Sequence, residues 1–338
     1  MSRQATTLRE LARVRAENHG LLLRLGLRTA LGRKNFTSDD TPTGAPCIIF
    51  YVSRRLPESA LDAQARIPEV IESTDRSMFA LTDAVEINPD PIQAPLPGLG
   101  QSNQALRSIL RWSDPPPWPP LRPGCRLSYG RATEGGFTSH SGTLGCLVRD
   151  TAHPELVGLL TNHHIGPEPG QSLYRPDYAP GAQRIAMVRR TLHHLADEAW
   201  LRGVDEPNTY MIIDASFAEL SEGVARENTL LSMDGAQRST EPLGRVYPID
   251  YDSMDIIGKP VRKIGQRSGI QLGMIVAVGI SQPHPSQDID ANIGQDPARY
   301  YADLAIVPRH PSRFVSAPGD SGSLVVIDTD DASRNQPE

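Results

Sequence analysis

Cysteine is scarce in this chain: only Cys47, Cys125 and Cys146 occur among 338 residues, an odd number at wide spacing. That pattern excludes a disulfide framework and equally a cysteine-built zinc site, and it points to a reducing compartment, the cytoplasm. No run of about 18 apolar residues occurs, so a membrane-spanning helix is not expected. The opening stretch interrupts its apolar residues with Glu10 and Glu17 and has no small-residue cleavage site, so it does not read as a secretory signal. Positive charge is not in excess either. With 34 Lys and Arg against 40 Asp and Glu, the formal charge of −6 gives no footprint for a phosphate backbone, and no nucleic-acid partner is expected. Aromatic residues make up only 5%, whereas 30 prolines and 28 glycines favour short elements joined by many turns. A mainly β architecture fits this composition better than a helical bundle.

The length exceeds the roughly 250 residues at which single cores stop growing, so two units are expected. Residues 7–27 place Leu8, Leu11, Val14, Leu21 and Leu25 near helical spacing after Thr6 or Thr7 as N-cap, which predicts one amphipathic helix. The run from Pro46 to Val52 predicts a buried strand, and a second strand is expected around Ala84 to Ile87. Residues 1–90 therefore form a small α/β unit. Residues 91–124, with Pro115-Pro116-Pro117 and Pro119-Pro120, form a stiff linker with a short helix near Gln104 to Arg111. From residue 125 to 328 short strand-like runs alternate with turns, at spacings that suggest a barrel or sandwich. These runs cover 143–148, 156–161, 184–188, 210–218, 261–264, 274–280, 300–307 and 323–327. The tail from 329 to 338 has no apolar periodicity and is expected to be disordered.

Three segments carry chemistry. Pro318-Gly319-Asp320-Ser321-Gly322-Ser323 precedes an apolar strand. A serine hydroxyl needs a base to take its proton, and its attack produces an oxyanion that backbone amides must hold. Glycines around Ser321 let the turn bring the amides of Gly319 and Ser321 toward one point. Taken alone, the same residues also read as an ordinary turn. Leu159-Leu160-Thr161-Asn162-His163-His164-Ile165 is an apolar strand ending in a histidine pair, and His164 in the Thr-x-x-His register is the candidate base, with His163 a loop residue. Adjacent positions on a strand face opposite ways, so the pairs His163-His164 and His193-His194 do not suggest a metal, and no cofactor is required. In Tyr210 to Ala218, Asp214 is a single carboxylate inside an apolar strand. Such a group needs a partner, and holding an imidazole in the right tautomer supplies one. Asp303 sits in a similar setting only 18 residues before Ser321 and reads as structural.

The order His164, Asp214, Ser321, with intervals of 50 and 107 residues, leaves room for a folded half between successive members. Thr161 to Ile165 and Gly319 to Gly322 resemble the histidine and Gly-Asp-Ser-Gly boxes of trypsin-like peptidases, with Ile165 in place of their cysteine. A broader resemblance covers most of the chain. Gly142 to Gly145, Asp214-Ala215, Gly265 to Gly273 and the segments Thr43 to Pro46 and Leu56 to Ser59 are similar to the intracellular peptidase group that includes the plant narrow-leaf protein and its bacterial relatives. Gln266-Arg267-Ser268 departs from that group's usual Arg-Thr-Thr. The resemblance implies a chymotrypsin-like double β-barrel with a His-Asp-Ser triad, a small domain before it, and a serine endopeptidase acting on protein or peptide substrates through an acyl-enzyme.

The resemblance also implies further strands after Val326, and this sequence has about ten residues there. An incomplete second barrel is expected, either in a truncated fragment, the simpler reading, or in a barrel completed in trans by another copy or a partner chain. Counting back six positions from Ser321 makes Val315 the base of the substrate pocket, beside Arg313 and Phe314, which suggests an apolar or small side chain next to the cleaved bond. Two alternatives use the same features. A non-catalytic binding module would offer a sheet edge to a peptide, and an esterase would use the same three residues on small acyl substrates.

Overall fold

The computed structural model describes residues 2–34, 44–56, 61–62, 65–86, 119–133, 136–175, 177–178, 182–197, 209–230, 241–243, 246–282, 299–301, 304–308 and 316–328. Most of the expected linker, the helix near 104–111 and the tail from 329 onward lie outside these residues.

After a short strand β1 (Arg3–Gln4), the expected helix forms as two pieces, α1 (Leu8–Glu17) and α2 (His19–Leu25). Thr7 is the N-cap: its hydroxyl accepts from the Glu10 amide at 3.2 Å, while the Glu10 carboxylate accepts from the Thr6 amide at 2.8 Å. The break comes at Asn18. Its side-chain amide donates to the Val14 carbonyl at 2.9 Å and to the Glu72 carbonyl at 2.8 Å, so the junction is pinned to a neighbouring segment.

Strands β2 (Arg28–Arg33), β3 (Pro46–Val52), β4 (Val70–Glu72) and β5 (Met78–Glu86) complete the N-terminal unit. The strand expected near 84–87 starts earlier, at Met78. Its inward positions include the polar Thr82, which interrupts the apolar alternation and bonds to the Pro68 carbonyl at 2.5 Å. β3 and β5 run parallel, and β2 lies antiparallel to β3.

The protein is mainly β, as the composition predicts. Strands β6 (Arg126–Thr133), β7 (Gly136–Thr143), β8 (Cys146–Arg149), β9 (Val157–Thr161), β10 (Ser172–Arg175), β11 (Gln183–Asp197) and β12 (Thr209–Leu220) belong to one sheet, and β13 (Thr229–Leu230) pairs with β14 (Glu241–Pro242). There follow β15 (Pro260–Gly265), β16 (Gly269–Val278), β17 (Ser281–Gln282), β18 (Arg299–Tyr301), β19 (Leu304–Pro308) and β20 (Val325–Ile327). The strand expected at 143–148 is two strands separated by a turn at Leu144-Gly145, and the one expected at 300–307 is likewise divided between β18 and β19.

Two nine-stranded sheets result. One runs β17-β18-β12-β11-β10-β6-β7, with β9 added to β12 and β8 to β9. Its core includes Leu127, Leu144, Leu159, Ile165, Leu173 and Val188. The other runs β1-β5-β3-β2-β16-β15-β20, with β4 on β5 and β19 on β16.

The N-terminal unit is α/β, but its sheet does not close on itself. β2 pairs with β16 at Leu31↔Val278 and Gly32↔Ala277, which covers part of that strand's edge from within the same chain. One apolar core joins Leu8, Leu11 and Val14 of α1 and Phe50 of β3 to Met254, Val261, Ile275 and Val278. Polar contacts cross the same junction. The Thr29 amide donates to Ser281 Oγ at 2.6 Å, Arg9 pairs with Asp252 at 2.6 Å, and the fully buried Arg15 guanidinium donates to the Gly279 carbonyl. Leu11→Ala is expected to lower stability to urea by about 2–5 kcal/mol. A chain lacking residues 2–86 is expected to bind an apolar dye and to elute as aggregate on size exclusion, because Ile275 and Val278 lose their cover. A monomeric truncated chain with a cooperative unfolding transition would show that the C-terminal half closes its own core.

Candidate active site

The candidate base, His164, is positioned by the end of β9. A 3-10 turn, His163–Ile165, follows this strand and drops Ile165 into the first core, where it is 3% exposed. Burial of this residue anchors the turn. Ser216 Oγ adds a 2.6 Å bond to the Gly166 carbonyl. His164 is left facing solvent, with its side chain 51% exposed, whereas the Asp214 side chain is 25% exposed.

Asp214 lies on β12, which pairs with β9, so the two strands bring His164 and Asp214 together. His164 Nδ1 is 2.7 Å from Asp214 Oδ2, the His164 amide donates to Oδ1 at 3.3 Å, and Asn162 Nδ2 donates to Oδ2 at 2.8 Å. Burial pushes the Asp214 pKa upward, but the bonds from His164 and Asn162 outweigh it and hold the carboxyl well below its ordinary value. His163 makes a different contact, stacking on His193 with ring centroids 4.8 Å apart. The structure thus separates the histidine pair, and only His164 engages Asp214. Among the described residues no group of three or more His, Cys, Asp or Glu side chains converges as a metal would require.

Ser321 comes from the turn before β20. Gly319 and Gly322 adopt φ of +102° and +90°, which favour glycine, and a Cβ on Gly322 would stand 2.3 Å from Thr161 Oγ1 and from the Thr143 carbonyl. The serine turn therefore lies directly against the end of β9. Thr143 ties it there: its amide donates to the Ser321 carbonyl at 2.7 Å and its hydroxyl to the Gly319 carbonyl at 2.9 Å. Ser321 Oγ and the His164 ring make no hydrogen bond to each other among the described residues.

The backbone of this turn alternates in a telling way. The Asp320 amide donates to the Ala317 carbonyl at 2.9 Å and the Ser323 amide to the Asp320 carbonyl at 2.9 Å. The amides of Gly319 and Ser321 have no acceptor among the described residues. An oxyanion site needs two such free donors converging on one point.

Asp320 itself turns inward and is 4% exposed. Its carboxylate accepts from Lys263 Nζ at 2.9 Å, from the Arg267 and Ser268 amides at 2.9 and 3.0 Å, and from the Ala317 amide at 3.0 Å. Gly265 permits this approach, since a Cβ there would meet Asp320 Oδ1 at 2.3 Å. The Gln266-Arg267-Ser268 turn thus acts through its backbone, and the Gln266 amide also donates to Thr143 Oγ1 at 3.1 Å. Burial works to raise the Asp320 pKa, and the contacts from Ser268 and Lys263 overcome it, leaving the carboxyl below its ordinary value.

Lys263, Thr143 and Asn162 did not emerge from the sequence as site residues. Lys263 carried no signal comparable to that of Asp214, because it stands beside Arg262 in the short strand Val261 to Ile264, where two of the four residues are cationic. The pocket residue Val315, with Arg313, Phe314 and the rival carboxylate Asp303, lies outside the described residues.

Comparison with known proteins gives two family matches. Residues 124–338 match the Nal1 C-terminal domain, and residues 3–84 match the NARROW LEAF 1 N-terminal domain. Among curated proteins the chain is similar to Protein NARROW LEAF 1 of Oryza sativa subsp. japonica, at 23% identity over 99% of this chain. It spans 54% of that relative's length. Among solved structures it is similar to the Nocardiopsis protease NAPase, with 15% identity, 62% of this chain and 80% of that chain covered, and a TM-score of 0.36. Thermobifida fusca Protease A gives 12% identity, 62% and 78% coverage, and a TM-score of 0.35.

Asp320→Asn is expected to cost about 3–5 kcal/mol in urea unfolding at neutral pH, because Lys263 is left buried without its counter-ion. The folded-state pKa of Asp320 lies below 3.8, so its contribution is complete above that pH and is lost as the pH falls through the lowered value. The variant should therefore lose stability less steeply than the parent below pH 3.8, as measured by acid titration of the unfolding free energy. Equal steepness would remove Asp320 from that account.

Proposed function

We propose that this chain, which belongs to the NARROW LEAF 1 family, is a serine-type endopeptidase in which Ser321 is the nucleophile, His164 the base and Asp214 the orienting acid. The observation that carries the proposal is the 2.7 Å contact of His164 Nδ1 with Asp214, on a turn packed against the one that holds Ser321 and two unused amides.

The chemistry follows from that placement. Ser321 Oγ attacks the carbonyl carbon of a peptide bond while its proton passes to His164 Nε2. The carbonyl oxygen takes the electron pair as an oxyanion between the amides of Gly319 and Ser321. Asp214 keeps the proton of His164 on Nδ1, so that Nε2 is the free acceptor, and then faces the imidazolium as it forms. The low pKa of Asp214 keeps this carboxylate charged at neutral pH. Collapse of the intermediate expels the amine, which takes the proton from Nε2 and leaves an acyl group on Ser321. Water then releases the acyl group by the same steps in reverse order. Protein or peptide segments are the proposed substrates, and every acid, base and donor in these steps is supplied by the chain.

Labelling of the purified chain by a fluorophosphonate reports an activated serine without requiring a known substrate. Labelling is expected in the parent and absent in Ser321→Ala and His164→Ala, while Asp214→Asn should slow it by roughly 10³–10⁴ through the wrong imidazole tautomer. Absence of labelling in a folded parent chain would sink the proposal, and labelling accompanied by turnover of esters but not of peptides would replace the endopeptidase with an esterase.

A further inference from the structure

The N-terminal unit contains a cavity of about 980 Å³ that the candidate active site does not use. It sits toward the carboxyl ends of the parallel strands β3 and β5, the end at which open α/β sheets bind ligands. Its volume falls within the roughly 300–1,000 Å³ typical of small-molecule sites. Leu25, Leu27 and Ile67 give it an apolar wall, and all three pack against the core that the unit shares with β15 and β16.

Four arginines line the same cavity: Arg24, Arg54, Arg55 and Arg66. Arg55 donates to the Ala84 carbonyl and stands 3.7 Å from Asp83, and Arg66 Nε donates to the Leu61 carbonyl at 3.4 Å. Arg24 and Arg54 are exposed and have no hydrogen-bond or ion-pair partner among the described residues. The guanidinium groups outnumber the lining carboxylates Asp62, Glu69 and Asp83, and Asp83 is already paired and only 12% exposed. With Asp83 beside Arg55, three guanidinium groups remain with two carboxylates, a surplus of one positive charge on a concave, partly apolar surface.

We propose that this cavity binds a small amphipathic anion, whose phosphate or carboxylate head is held by Arg24 and Arg54 and whose apolar body lies against Leu25, Leu27 and Ile67. Phosphate and carboxylate share the oxygen geometry that a guanidinium fork grips with two parallel bonds. Because the apolar wall belongs to the shared core, occupancy stabilises the C-terminal half together with the N-terminal unit.

The full chain is titrated with hexyl phosphate and with hexanoate, beside inorganic phosphate and hexanol, and followed by calorimetry and thermal unfolding. Saturable binding of at least one amphipathic anion, with a rise in Tm, is expected, and the tighter of the two identifies the head group. Inorganic phosphate and hexanol should each bind at least about tenfold more weakly than that anion. The Arg24→Ala/Arg54→Ala double variant alters only exposed side chains, so it should unfold at the parent's temperature without ligand yet bind about tenfold more weakly or worse. No saturable binding of either anion up to about 10 mM, or undiminished binding to the double variant, would overturn the proposal.

Discussion

The arrangement of the candidate site depends on a carboxylate that faces away from it. Asp320 lies between Gly319 and Ser321 in sequence, yet its side chain is buried among four donors that come from Lys263, from the turn joining β15 and β16, and from Ala317. A buried charge is expensive unless it is paired and fully bonded, so the turn that carries it has little freedom to adopt another shape. With the Asp320 side chain committed to one direction and its amide bonded to Ala317, the flanking amides of Gly319 and Ser321 stay unused. Donors held in place before a reaction cost no reorganisation during it. Rigidity at the Ser321 turn is thus obtained from electrostatics inside the second sheet.

His164 and Asp214 are held by different means. β9 and β12 are hydrogen-bonded neighbours, and His164 and Asp214 project from the same end of that pair. Ile165 and Ser216 fix the histidine turn by burial and by one backbone bond. Thr143 is the link between the two systems, because its amide and hydroxyl bond to the serine turn while its carbonyl accepts from Thr161 Oγ1 at 2.9 Å. A residue at the end of β7 thus bonds to both the serine turn and the end of β9, and the close approaches at Gly142 and Gly322 hold the same two segments together.

The N-terminal unit also contributes to this geometry. β15, which carries Lys263, packs Val261 into the core that α1 and β3 help to build. The unit is joined to β16 by strand pairing, by apolar burial and by the buried Arg15.

Much of the site was legible in the sequence because its residues follow local rules. Glycines where the chain must turn sharply, a histidine at the end of an apolar strand and a carboxylate inside another each stand out from their immediate neighbours, as did a cap at Thr6 or Thr7, of which the structure uses Thr7, and the buried strand at 46–52. The mainly β character followed from composition and turn spacing for the same reason. Residues that act through distant partners were not legible. Lys263 and Asp320 are 57 positions apart, Thr143 and Ser321 farther still, and nothing in the linear order pairs them. The break at Asn18 and the polar inward position Thr82 of β5 are satisfied by Glu72 and Pro68, which lie outside those elements. The sequence by itself determined which residue types were available for the chemistry and in which local conformations. Only the tertiary structure decided which carboxylate faces the histidine, which is buried against a lysine, and which strand covers β16, because pairing and burial are set by contacts between segments far apart in the chain.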